Sequence, residues 1–469
     1  MKNKNRILII AALVAIILFS CPQEPGDPGT GNTHDSDGSG TGNPNPTVYL
    51  CTVTTTGAYY VNGTKRGDLD ISGTQVYYGG ISCTVSGGKV YVGGNYYSGY
   101  AYWVDGVRTD LSIPAGTSFY YTRPIVVSDG KAYIWGSYEN AGTNKACYWV
   151  DGVRTDLDIP NGYTTYNYYN PVFAISNGRV YAAGSYSSYH YNDYGYREDE
   201  KSRQACYWIN GIRTDLSVPA GIEFSEARSI TVSGGKVYVS GSYGNLVDYR
   251  YMEKACYWVD GVRTDLNIPA ETERSVARNL IVSGGKVYVS GSYGNYEDYA
   301  GQGYNYFYMG KACYWVDGVR TDLDIPTGTD SSDSSASNLI VSGGKVYLLG
   351  ETRNYSYGDM KFCYWVDGMR TDLVVPDEAE IAFMAYYLTV SDGKVYVYGD
   401  SYPADRGVAD LQYYRGAFYW VDGVRTNFDV YHRGISGFGS RYFAVADGKV
   451  HVAAGAGYTE GGPGPFEMA

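Results

Sequence analysis

Arginine and aspartate recur two residues apart along most of the chain. The pairs are Arg108/Asp110, Arg154/Asp156, Arg213/Asp215, Arg263/Asp265, Arg320/Asp322 and Arg370/Asp372, with Arg425/Asn427 departing. On an extended strand, residues two apart share a face. Each pair can therefore form an ion pair, and a ring of them could hold a ligand or a metal. Repetition on what reads as an outermost strand suits a shared structural task instead, such as bridging neighbouring sheets. The search for catalytic groups gives little else. Four histidines, His34, His190, His432 and His451, sit in different contexts without metal-ligand spacing. No glycine-rich phosphate loop opens a helix, and no Gly-x-Ser-x-Gly elbow occurs. No catalytic set, metal site or cofactor is expected. Carboxylates on distant loops could still meet near an axis for glycoside chemistry, but no residues single out such a pair.

Tyrosine is the strangest feature of the composition, with 54 in 469 residues. Many fall in long variable stretches. Tyr189, Tyr191, Tyr194 and Tyr196 lie in Ser187 to Gln204. Tyr296, Tyr299, Tyr304, Tyr306 and Tyr308 lie in Asn295 to Lys311. Tyr413 and Tyr414 lie in Pro403 to Arg415, and Tyr249 and Tyr251 in a fourth stretch. Tyrosine offers large contact area, low entropy cost and a hydrogen-bonding tip, which suits a binding surface. The alternative is that these stretches are solvated spacers, or pack their rings on each other. The net charge of −12 argues against nucleic acid, whose phosphates call for a basic surface.

The elements that must position these residues are set by a repeat. Trp103, Trp149, Trp208, Trp258, Trp315, Trp365 and Trp420 occupy one frame, Tyr-Trp-Val-Asp-Gly or a close variant, and Tyr60 takes the same place in Tyr59-Tyr60-Val61-Asn62-Gly63. A second signature alternates with it, fullest at Ile230 to Tyr243 and Leu280 to Tyr293. Its basic residue is Lys89, Lys131, Arg179, Lys236, Lys286, Lys345, Lys394 or Lys449. Eight copies near a period of 50 residues indicate a propeller. Each unit reads as four strands, exemplified by Ile230 to Ser233, Lys236 to Ser240, Ala255 to Val259 and Val262 to Leu266. Gly234-Gly235 and Asp260-Gly261 are two-residue hairpin turns. Apolar residues on both faces of the middle strands fit a sheet buried between two others. The tryptophans read as core wedges.

The expected fold is therefore all-β, a β-propeller of four-stranded antiparallel blades over residues 47–457, with eight blades or, as the alternative, seven. Residues 458–469 form a tail. Both Thr47 to Leu50 and Lys449 to Val452 fit the second-strand slot of the blade that closes the ring, so one appears surplus. In this arrangement the 1–2 and 3–4 turns share one face and are short, whereas the 2–3 and 4–1 connections share the other and vary. Variable loops on a rigid scaffold are where function usually sits. Cys147, Cys206, Cys256, Cys313 and Cys363 precede the Tyr-Trp pair in five copies and read as buried thiols about one repeat apart, too far to bridge. A Cys51–Cys83 bridge is open.

Two resemblances add to this. Gly88 to Gly94, Gly-Lys-Val-Tyr-Val-Gly-Gly, with the downstream Tyr-Trp-Val, resembles kelch-type propeller repeats. The Tyr-Trp-Val-Asp-Gly-x-Arg-Thr-Asp-Leu element is also similar to HAF-type extracellular repeats of bacteria. At the N-terminus, Lys2, Lys4 and Arg6 precede the apolar run Ile7 to Phe19, which is too short for a membrane span and suits a secretory signal over residues 1–20. Leu18-Phe19-Ser20-Cys21 resembles the bacterial lipobox. The resemblance implies cleavage before Cys21, acylation of that residue, and a membrane anchor in the cell envelope, at the outer membrane or cell surface. Residues 21–46 read as a Pro/Gly/Ser/Asn-rich tether. Asp35-Ser36-Asp37-Gly38 lacks the glutamate that would complete a calcium loop. The expectation is a monomeric surface module that binds an extracellular protein or glycan. A polysaccharide-active hydrolase or lyase and a structural envelope protein are the two alternatives.

Overall fold

In a computed structural model of the chain, the described residues are 49–53, 58–61, 64–71, 76–96, 99–122, 125–140, 143–165, 171–188, 202–248, 250–298, 306–325, 332–354, 359–374, 381–403, 416–427, 442–446 and 449–453. The signal, tether and tail expected from the sequence lie outside them. Among the described residues every regular element is a strand. These strands form seven hydrogen-bonded sheets, built on one repeating antiparallel order. One sheet is nine-stranded. It holds two consecutive units joined by a single parallel pairing of Arg203 with Phe224.

The unit is clearest at Phe224–Ser233, Lys236–Val247, Arg250–Val259 and Val262–Asp265. The first three strands run several residues beyond the β-branched cores expected from the sequence. The second and third continue pairing out to Val247 and Arg250, while the fourth stops at Asp265 rather than Leu266. Both expected turns are present. Gly234 and Gly235 have φ of 58° and 78°, and Asp260 and Gly261 have 48° and 86°, the left-handed pair that a type I′ hairpin requires. The aspartate has a second task. Its Oδ1 accepts from the Val237 N–H at 2.9 Å, and its own N–H donates to the Val237 carbonyl at 2.8 Å. Asp105, Asp151, Asn210, Asp317, Asp367 and Asp422 repeat the side-chain bond. Each 3–4 turn is thereby clamped to the start of the second strand.

Successive units pack face on face, in chain order. In the third strand, Cys256 and Trp258 point back to the preceding unit, toward Tyr207 and Leu216. Ala255 and Tyr257 point forward, among Leu280, Val289 and Trp315. Period-two alternation thus explains the Cys-Tyr-Trp string: two faces, two neighbours. First strands of consecutive units touch one another and form the innermost layer. This sheet-on-sheet succession is that of a β-propeller. The first and last described strands lie in one five-stranded sheet. Tyr49–Val53 pairs in parallel with Lys449–Ala453 and antiparallel with Ala58–Val61. Both strands that fit the second slot are therefore used, side by side, and neither is surplus.

All seven repeat tryptophans are at most 1 % exposed. Each indole N–H donates to a backbone carbonyl of the preceding unit: Trp103 to Asp70, Trp149 to Ser112, Trp208 to Asp158, Trp258 to Ser217, Trp315 to Asn267, Trp365 to Asp324 and Trp420 to Val374. Cys147, Cys206, Cys256, Cys313 and Cys363 are buried free thiols. Burial pushes the Cys363 thiol up to about 12 and the other four well above their ordinary value. The Cys51–Cys83 question falls outside the described side chains.

In the seven tryptophan-bearing units an aliphatic side chain stands in solvent at the residue after the 3–4 turn. Val107, Val153, Ile212, Val262, Val319, Met369 and Val424 are between 69 % and 76 % exposed.

Candidate binding face

The repeated Arg and Asp pair within their own strand. Arg108, Arg154, Arg213, Arg263, Arg320 and Arg370 each place Nε against Oδ1 of the aspartate two residues on, as at 2.8 Å for Arg263–Asp265. Arg154 and Arg213 also reach the neighbouring sheet, Arg154 Nη1 to the Ser112 carbonyl and Arg213 Nη1 to Asp158, the bridging expected from the repeat. The extended backbone holds each Arg and Asp on one face, and the indole adds a second inter-sheet bond. A tyrosine that the sequence did not single out completes the set. Tyr138, Tyr186 and Tyr293 donate to Asp156, Asp215 and Asp322. The guanidinium lies over the ring, at 4.6 Å for Arg263 on Tyr243 and 4.4 Å for Arg320 on Tyr293. Burial first, then the adjacent aspartate, pushes Tyr138 and Tyr243 up to about 12. These sets have no open coordination geometry, and among the described residues no group of three or more His, Cys, Asp or Glu could hold a metal.

The features that do not repeat lie at the other end of the strands, on the side of the variable connections. Five charged side chains from consecutive units alternate in sign. Arg203 donates to Glu226 at 3.1 Å, Arg228 to Glu226 at 2.9 Å and to Glu253 at 3.4 Å, and Arg274 to Glu253 at 3.1 Å. Glu253, Arg203 and Glu226 are 2 %, 5 % and 9 % exposed. Such charges are tolerated inside only when paired, and here both carboxylates are flanked by two guanidinium groups. Arg228 owes its place to a β-bulge, where the register shifts between Ala227 and Ser229. The bulge recurs in other units, at Ala336/Asn338 and Ala385/Tyr387. The backbone device is therefore shared and the residue it presents is variable, as expected where a bulge re-aims a side chain. Burial would pull Arg274 down, but Glu253, Tyr296 and Tyr308 leave it above its usual value.

Aromatic rings rest on this charged base. Arg203 lies 5.7 Å from the Phe224 ring and 5.8 Å from Tyr251. Those two rings meet edge to face at 5.1 Å. Arg274 lies 4.7 Å over Tyr308. Tyr308 packs against Tyr296 at 5.8 Å, and the Tyr296 hydroxyl donates to the Tyr251 carbonyl at 3.0 Å. Tyr251 is exposed, paired across its hairpin with the exposed Leu246 and next to Val247.

Three of the tyrosines expected to line this face, Tyr251, Tyr296 and Tyr308, are thus brought together. Tyr296, Tyr306 and Tyr308 were expected in a loop; they lie on strands Lys286–Asp298 and Tyr306–Val316. The stretch pairs from Tyr288 out to Asp298 because Tyr296 faces Tyr308 across the ladder, and cross-strand aromatic pairs stabilise a hairpin. Tyr251 likewise sits on a strand. Tyr189, Tyr191, Tyr194, Tyr196, Tyr249, Tyr299, Tyr304, Tyr413 and Tyr414 lie outside the described residues. The Arg–Glu ladder was missed by sequence reasoning. Its signal was that Glu226, Glu253 and Arg274 stand where other units have Val276, Gly310 and Phe224, whereas Arg228 is matched by Arg278 in the next unit.

No family model matches the chain, and no curated protein matches it by sequence. Among solved structures, the chain is similar to the β-propeller domain of the Trilobed protease from Pyrococcus furiosus. That likeness has 12 % identity, 76 % of this chain and 97 % of that one covered, and a TM-score of 0.37. YjhT is similar at 12 % identity, over 65 % of this chain and 99 % of that one, with a TM-score of 0.33. The GH32 β-fructofuranosidase of Bombyx mori is similar at 10 % identity, over 73 % and 87 % of the two chains, with a TM-score of 0.29.

Proposed function

We propose that this chain is an eight-bladed, closed propeller, tethered to the cell envelope through Cys21, which binds an extracellular protein or glycan with its variable-connection face. Closure is supported by the pairing of Tyr49–Val53 with Lys449–Ala453. It is also supported by contact of that terminal sheet with Ile381–Ser391 on one side and Val76–Ser86 on the other.

One observation carries the binding reading. The repeat solves folding identically from unit to unit, with tryptophan wedges and clamped turns. The units around Glu226, Glu253 and Arg274 nonetheless add a buried Arg–Glu ladder on the variable side. A fold does not require buried ion pairs, which often contribute little net stability compared with apolar packing. They do fix geometry. Here they hold Tyr251, Tyr296 and Tyr308 in one arrangement, with Tyr251, Leu246 and Val247 exposed above it. A rigid aromatic patch with a polar surround is the usual composition of a recognition surface. The occupation of Glu226 and Glu253 by arginine speaks for recognition over acid–base chemistry, which needs a carboxyl free to exchange a proton with substrate. The test is binding of the purified chain to glycan and matrix-protein arrays, compared with Tyr251→Ser.

A further inference from the structure

The face opposite the aromatic patch carries its own pattern. In the seven tryptophan-bearing units the residue that follows the 3–4 turn is Val107, Val153, Ile212, Val262, Val319, Met369 or Val424, each at least 69 % exposed, whereas after Asn62-Gly63 it is Thr64. Packing cannot explain this choice, because most of each side chain touches nothing. Strand propensity does not demand it either, since Thr264, two residues on in the same strand, is polar and also exposed. A single exposed aliphatic side chain is ordinary, but the same choice at the same position in seven successive units is not.

Three features identify the partner. Equivalent positions in consecutive units form a rim at one level, so a flat surface can meet all of them and a small globular partner only a few. The same end of the strands carries exposed cations, Lys89, Lys131, Lys236, Lys286, Lys345 and Lys394, at the start of the second strands. The turn aspartates beside them accept strand N–H groups and keep their charge, and Asp129 and Asp392 lie next to Lys131 and Lys394, so this end presents both signs, as a zwitterionic headgroup layer does. Finally, the chain enters the fold here. Tyr49 pairs with His451, two residues into the strand that opens at Lys449, and Cys51 pairs with Val61, beside the 3–4 turn. The segment leading back to Cys21 therefore leaves from the short-turn face.

We propose that this face lies on a lipid surface, with the aliphatic rim entering the headgroup region, the lysines meeting lipid phosphates, and the aromatic patch turned outward. The proposal rests on the reading of Cys21 as a lipid anchor. The acylated Cys21 holds the chain at the bilayer, and an apolar and basic contact on the folded domain would fix its orientation there.

The experiment separates the two readings. Intact mass of the membrane-extracted chain reports acylation of Cys21 by itself. Docking is measured on the full chain carrying Cys21→Ser, with phosphatidylethanolamine/phosphatidylglycerol vesicles. An environment-sensitive fluorophore is placed through Val262→Cys or, for comparison, Tyr251→Cys, with Cys51 and Cys83 replaced by Ser; the five repeat cysteines are buried and do not compete. The expected result is at least twofold stronger quenching at position 262 than at 251 by headgroup-quencher lipids. In addition, the triple variant Val262→Asp, Val319→Asp, Met369→Asp, folded by circular dichroism, should partition about tenfold more weakly. Equal quenching at the two positions, or unchanged partition of the triple variant, overturns the proposal even if Cys21 proves acylated. Self-association that the triple variant abolishes, without vesicle binding, assigns the rim to a second copy and also overturns it.

Discussion

The indole N–H of Trp258 donates to the backbone carbonyl of Ser217 at 2.7 Å, one unit back along the chain. The same bond recurs from Trp103 to Trp420. One side chain thus fills the inter-sheet core and ties adjacent sheets at a polar point. Trp258→Ala should cost about 3–5 kcal/mol and Trp258→Phe about 1 kcal/mol beyond any packing change, for the lost bond. Denaturant titration of both variants checks the ratio. A Trp258→Phe loss no larger than its packing change would mean that the bond is inert.

Gly241 sits where Trp258 and the first strand converge. A Cβ there would lie 1.9 Å from the Glu226 carbonyl oxygen and 3.1 Å from the indole. Gly241→Ala should therefore destabilise by at least about 2–3 kcal/mol, as overpacking against backbone does. It should also disturb the ladder through Glu226. Thermal unfolding reads the first effect, and altered near-ultraviolet circular dichroism of the tyrosines reads the second.

Asp260 has positive φ and clamps Val237. Asn210 does the same for Val180. Asp260→Asn should be tolerated within about 0.5 kcal/mol, whereas Asp260→Ala should lose about 1–2 kcal/mol through the bond and the strained turn. Calorimetry of the two variants distinguishes them.

Removing Glu253 leaves Arg228 and Arg274 facing each other without the intervening carboxylate. Glu253→Gln should destabilise by about 3 kcal/mol, with partial recovery when Arg274→Met is added. A double-mutant cycle measures the coupling. Additive losses would show that the ladder is not one network.

Stability should fall in alkali. Tyr138 and Tyr243 titrate near 12 in the folded protein against an ordinary value near 10, and Cys363 near 12 against about 9. Folding thus favours the protonated forms. Their contribution is complete below the unfolded values, erodes from about pH 9 for the thiol and about pH 10 for the phenols, and is gone above about pH 12. Tyr243→Phe should lessen the slope between pH 10 and 12, as followed by denaturant midpoints.

Much of the fold was legible because it repeats. The Trp258 frame, the Gly234-Gly235 and Asp260-Gly261 turns and the four-strand unit each appear many times, and repetition separates a structural constraint from chance. Strand ends were less legible. The pairing of Tyr296 with Tyr308 extends a hairpin through residues that look like loop, since polar and aromatic residues there form a ladder only when opposite one another. The site was least legible. Arg228 and Glu253 are 25 residues apart in sequence, lie on the first and third strands of one sheet and are joined only through a bulge that no local signal announces. The parallel pairing of Tyr49–Val53 with Lys449–Ala453 was half visible, as two segments competing for one place.

The central claim is that the surface above the ladder binds an extracellular ligand, and array binding of the purified full chain tests it most directly. The account predicts a saturable protein or glycan ligand whose binding falls at least tenfold in Tyr251→Ser and is untouched by Val262→Asp on the opposite face. Saturable binding that Tyr251→Ser leaves unchanged, or no ligand on either array, would contradict it.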